Sequence, residues 1–202
     1  MNDPDRELVQ RCQEGHGPAF EEAYRELYDL FKDRVFTICL RVTGTEEDAL
    51  DAAQETMVSL ARRIRSFQFR SRFSSWVYRI AVNAAIDVRR RRLDAPHGTI
   101  STTVGGVGEA GAAEPVMDAE TADPAARAME AESRQAVKKA LASISPRFSS
   151  ILVLRYIEGL SYEEVAETLD CNLGTVKSRL NRAHAALRDH LSHLGVAGPE
   201  SS

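Results

Sequence analysis

The segment from residue 158 to residue 187 constrains this chain most, because it predicts two helices joined by a tight turn. Ser161 and Glu164 have the spacing of a capping box, in which each side chain accepts a bond from the other residue's backbone N–H. The periodicity breaks around Asp170, and Thr175 is a second candidate N-cap. The second helix then carries one apolar stripe with helical spacing: Val176, Leu180, Ala183 and Leu187. This pattern predicts a helix-turn-helix.

The opposite face of the second helix is polar and basic. Amide, hydroxyl and cationic side chains of this kind bond phosphates and base edges in a major groove. The candidate DNA-binding residues on this helix are Thr175, Lys177, Ser178, Arg179, Asn181 and Arg182. Asp170 occupies the turn position where glycine is usual, and aspartate tolerates the left-handed conformation that such a turn requires.

The formal net charge of −4 conceals four blocks of alternating sign. Residues 1–61 carry a net charge of −8, and residues 62–92 carry +9. Residues 93–132 carry −7, and residues 133–194 carry +3. A polyanion responds to the charge within about one Debye length, roughly 10 Å at 0.1 M salt. The two basic blocks therefore predict contacts with nucleic acid despite the acidic total.

Composition argues against several other classes of function. The isolated cysteines Cys12, Cys39 and Cys171 have the spacing of neither a disulfide framework nor a zinc site. No carboxylate pair, Gly-rich phosphate loop or nucleophile motif accompanies the histidines His184, His190 and His193. We therefore expect no catalytic residue, no metal and no cofactor. No apolar run has the length of a membrane span and the first residues lack a signal peptide's apolar segment, so we expect a cytoplasmic protein without membrane insertion.

Apolar stripes with helical spacing recur through the first half of the chain. Gly44 is expected to end the second helix and Thr45 to cap the third. Aromatic residues are only 6% of the chain, so we expect cores of Leu, Val, Ile and Ala packed between helices. The predicted helices span residues 5–15, 19–43, 46–64 and 75–92.

Residues 93–132 are rich in Gly, Ala, Thr, Pro and acidic side chains and show no periodicity, which predicts a flexible acidic linker. Helical pattern resumes at about Pro124, and the tail beyond Gly195 is expected to fray. The predicted fold class is all-α. Two small helical domains, residues 5–92 and 133–194, are joined by the linker.

Arginine and aromatic side chains interleave between residues 62 and 76. Such a mixture suits single-stranded nucleic acid, because bases stack on the rings while guanidinium groups bind the backbone. An alternative stays open, in which Phe67, Phe69, Phe73 and Trp76 pack a loop onto the core. The run from Arg89 to Arg92 is a further candidate phosphate contact.

Three segments together resemble the sigma-70 family of bacterial transcription initiation factors, in its small extracytoplasmic-function group. LRVTGTEEDALDAAQET at 40–56 resembles the core-polymerase-binding helix of region two. SSWVYRIAVNAAIDVRRRR at 74–92 resembles the helix that opens the strands and reads the −10 element. Residues 144–183 resemble region four, which reads the −35 element. The resemblance implies a two-domain factor that binds core polymerase and directs promoter-specific initiation, without catalysis.

The resemblance also implies residue roles. The chain would bind core RNA polymerase at the clamp helices of the β′ subunit and at the flap of the β subunit. The residues that would contact the clamp helices are Asp48, Asp51, Gln54 and Glu55. The loop 69–75 would capture one base flipped from the non-template strand. Few aromatics follow Trp76, which favours single-base capture over wedging. The −10 set is Phe69, Arg70, Arg72, Phe73, Ser75, Trp76, Arg79, Asn83, Asp87, Arg90 and Arg91. An anti-sigma factor is a further expected partner.

The charge pattern gives one regulatory hypothesis and leaves two rival functions to weigh. Acidic parts of the chain are expected to mask the basic helix in the free protein, so that neither domain binds promoter DNA well alone. One rival is a dimeric helix-turn-helix regulator that does not replace the sigma subunit, which leaves residues 40–92 unexplained. The other is an enzyme using His184, His190 and His193, which have no accompanying catalytic motif.

Overall fold

The computed structural model describes residues 3–94 and 124–193. The described residues form helices and turns without a strand, in agreement with the predicted all-α class. The predicted tail, and residues 95–123 of the predicted linker, lie outside the described residues. The helices are α1 (Arg6–Glu14), α2 (Pro18–Thr43), α3 (Glu46–Arg63), α4 (Phe73–Asp94), α5 (Pro124–Ser143), α6 (Pro146–Leu152), α7 (Tyr162–Thr168) and α8 (Leu173–His193). A 3₁₀ turn at Ile64–Ser66 follows α3, and a π-helical turn at Val153–Ile157 follows α6.

The first domain comprises α1 to α4 and buries the apolar stripes read from the sequence. Gly44 ends α2 with φ of 86°, a left-handed conformation that favours glycine. Thr45 caps α3 as predicted, because its side chain accepts the Asp48 N–H. The core between α2, α3 and α4 contains Leu27, Val35, Ile38, Leu60, Phe73 and Val77, none of them exposed by more than 1%.

The second domain comprises α5 to α8 and contains the helix-turn-helix. The capping box is present: the Ser161 N–H donates to Glu164 Oε2 at 2.8 Å, and the Glu164 N–H donates to Ser161 Oγ at 3.1 Å. Asp170 adopts φ of 50°, as its place in the turn requires. The prediction of Thr175 as N-cap is wrong. Helix α8 begins at Leu173, and Asn172 Oδ1 accepts the Thr175 N–H at 2.8 Å.

The two domains pack against each other, which the sequence did not indicate. Helices α2 and α4 contact α5, α6 and α7, so buried residues of both domains form one continuous apolar cluster. The contact is close at Gly44, where a Cβ would lie 2.5 Å from the Ala142 Cβ. Helix α5 begins at Pro124, where the periodicity resumed, so residues 124–132 of the predicted linker are helical.

Arg89 links the domains through backbone carbonyls. Its guanidinium donates to the carbonyls of Val42 at 2.9 Å, Ala142 at 2.5 Å and Ile144 at 2.8 Å. Val42 is in the last turn of α2, whereas the other two lie where α5 ends. Helix C-termini carry partial negative charge and unpaired carbonyls, so one cation caps two helices from different domains. Burial lowers the pKa of Arg89, and the nearby Asp48 carboxylate opposes that effect.

We expect Arg89→Met to reduce the free energy of unfolding by about 2 to 4 kcal/mol, because partly buried carbonyls would lose a charged donor. Urea denaturation followed by circular dichroism measures the change. Arg90→Met is the matched control, since the Arg90 side chain is 69% exposed and its ion-pair partner among the described residues is the neighbouring Asp87 at 3.3 Å. It should change stability by less than about 0.5 kcal/mol. Equal effects of the two substitutions would contradict the proposed role of Arg89.

Candidate nucleic-acid interface

The aromatic side chains before and within α4 pack mainly with one another. The ring of Phe67 lies 5.2 Å from that of Phe73 and 5.1 Å from that of Trp76. Phe73 is fully buried and Trp76 is 9% exposed. In this conformation both side chains therefore pack the loop onto the core, as the alternative interpretation predicted. Phe69 is half-buried with φ of 54°, and the Arg6 guanidinium lies 4.6 Å from its ring. Of the two aromatic side chains in the predicted loop 69–75, Phe69 is partly exposed and Phe73 is buried.

The arginines at the end of α4 form hydrogen bonds and ion pairs with other residues of this chain. Besides Arg89, the guanidinium of Arg91 bonds Glu55 at 2.6 Å and that of Arg92 bonds Asp48 at 2.6 Å. Two of the four predicted polymerase-contacting side chains on α3 are therefore paired with this run, whereas Asp51 and Gln54 are exposed. The Arg91–Glu55 pair is exposed at both side chains, and exposed ion pairs contribute only about 0 to 1 kcal/mol. This pair can therefore exchange for phosphate or protein partners. Asp48 is only 15% exposed, so the Arg92–Asp48 pair is more enclosed.

The acidic side of the helix-turn-helix covers the start of α4. Arg72 bonds Glu164 at 2.7 Å, and Arg79 lies 3.5 Å from Asp170. We call Glu164, Glu167 and Asp170 the acidic latch; Glu167 accepts a 3.5 Å bond from the hydroxyl of Ser75. Three residues from the predicted −10 set thus face carboxylates of the second domain. The sequence predicted that acidic parts of the chain mask the basic helix, but it did not indicate which acidic segment does so. In the structure, carboxylates of the helix-turn-helix contact the start of this helix.

Glu164 serves the capping box and the latch at once. The Ser161 backbone N–H lowers the pKa of the Glu164 carboxyl most, and the Ser161 side chain and the Arg72 guanidinium add to this effect against a smaller opposing contribution from burial. Its ionised form is therefore favoured in the folded protein. The same carboxylate orders the start of α7 and joins α7 to the loop before α4.

The predicted −35 residues lie on one accessible face of α8. Lys177, Ser178, Asn181 and Arg182 are exposed, and Thr175 is half-buried. Arg182 donates a 3.3 Å bond from Nε to the Ser178 carbonyl, one turn earlier on the same helix. Arg179 differs, because it is half-buried and lines a cavity between the domains.

The remaining predicted −10 residues are distributed over the exposed parts of the first domain. Arg70, Asn83, Asp87 and Arg90 are exposed, and Asn83 lines the same cavity as Arg179. Sequence reasoning missed Arg63, Arg147 and Thr168, which also line it. They are far apart in the chain, and only domain packing brings them together.

Within residues 3–94 and 124–193, no three His, Cys, Asp or Glu side chains are grouped so as to bind a metal ion. The helices in that part of the chain are too short or too polar to cross a membrane.

Two protein families match this chain, one in each of its two domains. The sigma-70 region 2 family matches residues 27–93, and the sigma-70 region 4 family matches residues 134–187. The chain is 31% identical over 175 residues to the ECF RNA polymerase sigma factor SigW of Bacillus subtilis (strain 168), covering 86% of this chain and 91% of that protein. This chain belongs to the extracytoplasmic-function group of sigma-70 factors. It is also 31% identical over 193 residues to the ECF RNA polymerase sigma-E factor of Escherichia coli (strain K12), covering 94% of this chain and 95% of the relative.

Solved structures show the same fold. CnrH, solved with the cytosolic domain of CnrY, aligns with a TM-score of 0.61 at 21% identity, covering 95% of this chain and 99% of that chain. The sigma factor RpoE of Bartonella quintana, solved with the anti-sigma factor NepR, aligns with a TM-score of 0.58 at 22% identity, covering 84% of this chain and 96% of that chain.

Family membership decides between the functions considered above. This sigma factor binds core RNA polymerase and promoter DNA and directs transcription initiation. It is a DNA-binding regulator rather than an enzyme, and the dimeric regulator is not favoured.

We expect Glu164→Gln to lower stability at pH 7 by about 1 kcal/mol, since the amide preserves the capping geometry but loses the charge. The folded pKa lies below the ordinary value of 4.5, so the carboxylate's contribution is present above 4.5 and is lost as the pH falls through the folded pKa. Urea titrations from pH 7 to pH 3 should show the wild-type and variant curves converging below pH 4.5. The exposed neighbour Glu163→Gln serves as control, and a gap that persists at pH 3 would refute this role for Glu164.

Proposed function

We propose that the sigma factor divides its tasks among three helices: α3 binds polymerase, α4 reads the −10 element, and α8 reads the −35 element. Residues 5–92 would form the polymerase and −10 domain, 93–132 the linker, and 133–194 the −35 domain. The observation that carries this proposal is the exposed polar face of α8, whose helix start is fixed by Asn172. A helix with its N-terminal turns accessible fits a major groove.

The −35 contacts proposed for α8 have different chemical roles. Lys177 and Arg182 supply charge for phosphates, whereas Ser178 and Asn181 offer hydrogen bonds to base edges. All four are exposed. Thr175 lies at the helix start, where hydroxyl groups reach the backbone of DNA, and Arg179 lies at the edge of this face.

The −10 contacts proposed for the first domain centre on the loop before α4 and on its exposed side. Phe69 and Arg70 would receive one flipped base, with Asn83, Asp87 and Arg90 beside the opened strand. Opening a base pair costs a few kcal/mol, which contacts to the flipped base and to phosphates offset. Phe73 and Trp76 would support the loop from the core, because both are buried.

The polymerase contact proposed for α3 uses its exposed polar side. Asp51 and Gln54 are exposed, and Asp48 and Glu55 would exchange their arginine partners for the clamp helices of the β′ subunit. The β flap would contact the second domain. Attachment to polymerase places both DNA-reading helices at high effective concentration near one promoter.

An anti-sigma factor is proposed as a further partner. RpoE of Bartonella quintana was solved with the anti-sigma factor NepR, and its fold aligns with this chain over 84% of its length. That pair is therefore a structural precedent for such a complex.

We expect Lys177→Ala to weaken holoenzyme binding to all −35 sequences about equally and to lower the salt dependence by about one phosphate contact. Asn181→Ala should instead cost about 1 to 3 kcal/mol at one base pair and relax specificity there. Fluorescence anisotropy with wild-type and singly altered −35 templates, over a salt series, separates the two. Lys139→Ala is the control, because Lys139 is an exposed side chain on α5, outside the proposed DNA-binding sets. Unchanged −35 preference in both α8 variants would contradict the assignment.

The closed arrangement of domains explains why the free protein would bind DNA poorly. The acidic latch occupies Arg72, Ser75 and Arg79, three of the proposed −10 contacts. Polymerase binding would separate the domains and release them. Because these ion pairs are partly exposed, breaking them costs little free energy.

We expect a latch variant with Glu164→Gln, Glu167→Gln and Asp170→Asn to bind promoter DNA at least fivefold more tightly as free protein. Each change removes charge but keeps the cap or the left-handed turn. Gel shifts at fixed salt measure the effect. The control variant neutralises three exposed acids of α2, by Glu21→Gln, Glu22→Gln and Asp33→Asn. Equal gains in both variants, or tight specific binding by the wild-type chain, would overturn the masking proposal.

A further inference from the structure

A cavity of about 440 Å³ lies where α4 faces the helix-turn-helix. Arg63, Trp76 and Arg79 line it from the first domain, and Arg147, Thr168 and Arg179 line it from the second. Its size is within the range of small-molecule sites, about 300 to 1,000 Å³. Because both domains supply its walls, the cavity exists only in the closed arrangement.

The cavity concentrates positive charge. Four arginines line it against a single carboxylate, Asp170, which lies 3.5 Å from Arg79. Among the described residues, the guanidiniums of Arg63, Arg147 and Arg179 have no ion-pair partner. Like charges gathered in one cavity repel each other, and a polyanion would relieve that repulsion. Guanidinium groups also match phosphate geometry with paired hydrogen bonds.

The cavity also has an apolar part. Ile86 of α4 and Leu169, which follows α7, line the cavity and are half-buried, so they offer an apolar surface to a base.

We propose that this cavity binds a nucleotide carrying two or more phosphates, and that the bound nucleotide keeps the sigma factor closed. The arginines would bind the phosphates, and the apolar wall would bind the base. The proposal rests on the closed, masked state proposed above. A ligand that binds only the closed form shifts the population towards it and thereby opposes promoter binding. Arg79, Asn83 and Arg179 also belong to the proposed DNA-binding sets, so nucleotide and promoter would compete for the same residues.

Trp76 is the only tryptophan in the sequence, so intrinsic fluorescence reports on this cavity directly. The full-length chain is titrated with GTP, ATP and inorganic tripolyphosphate, and calorimetry gives an independent dissociation constant. We expect a saturable change in Trp76 fluorescence with a nucleoside triphosphate. The dissociation constant should rise at least tenfold in a variant with Arg63→Gln and Arg147→Gln, neither of which belongs to the proposed DNA-binding sets. The matched control, Arg62→Gln with Arg188→Gln, changes exposed arginines outside the cavity and should bind like wild type.

A variant with Glu164→Gln and Glu167→Gln tests whether both domains are needed, because it weakens the latch but keeps the cavity's own Asp170. We expect it to lose nucleotide affinity. Equal binding by this variant and by wild type would overturn the joint site, and tripolyphosphate binding as tight as that of the nucleotides would overturn the assignment to a nucleotide. Absence of any saturable binding to wild type would overturn the cavity proposal alone, since the gel-shift comparison tests the masked state without nucleotide.

Discussion

The guanidinium of Arg89 is the interaction on which the closed arrangement depends. It bonds carbonyls at the end of α2 and at the end of α5, within 2.9 Å of each, and so joins two helix C-termini from different domains. Beside it, Gly44 and Ala142 approach so closely that a further methyl group would not fit. Together with the apolar packing of α5, α6 and α7 on α2 and α4, these two points fix the second domain in the position that forms the latch and the interdomain cavity.

Electrostatics gives the same side chains two uses. Arg72 and Arg79 bond carboxylates of the second domain while the chain is closed, and promoter phosphates compete for such groups when it opens. Their exposure makes the internal pairs weak, so a partner with higher charge density displaces them. The alternating charge blocks of the sequence therefore encode a competition between self-contact and DNA contact rather than one binding surface.

Local interactions explain what the sequence predicted well. The capping box at Ser161, the cap at Thr45 and the left-handed turn at Asp170 each involve residues within a few positions of one another, so their spacing carries the information. The N-cap of α8 was wrong by three positions, because Asn172 and Thr175 are both good caps and only the path of the turn selects between them.

The sequence by itself determined the helices, most of their ends, the helix-turn-helix with the polar face of α8, and membership of a sigma-factor family. Only the tertiary structure decided that Phe73 and Trp76 are buried, that the latch meets α4, and that Arg63, Arg147 and Thr168 line one cavity. Arg72 and Glu164 are 92 positions apart, and an arginine has many equally weak carboxylate partners in an acidic chain. Close packing of apolar surfaces, not charge pattern, selects which of those pairs forms.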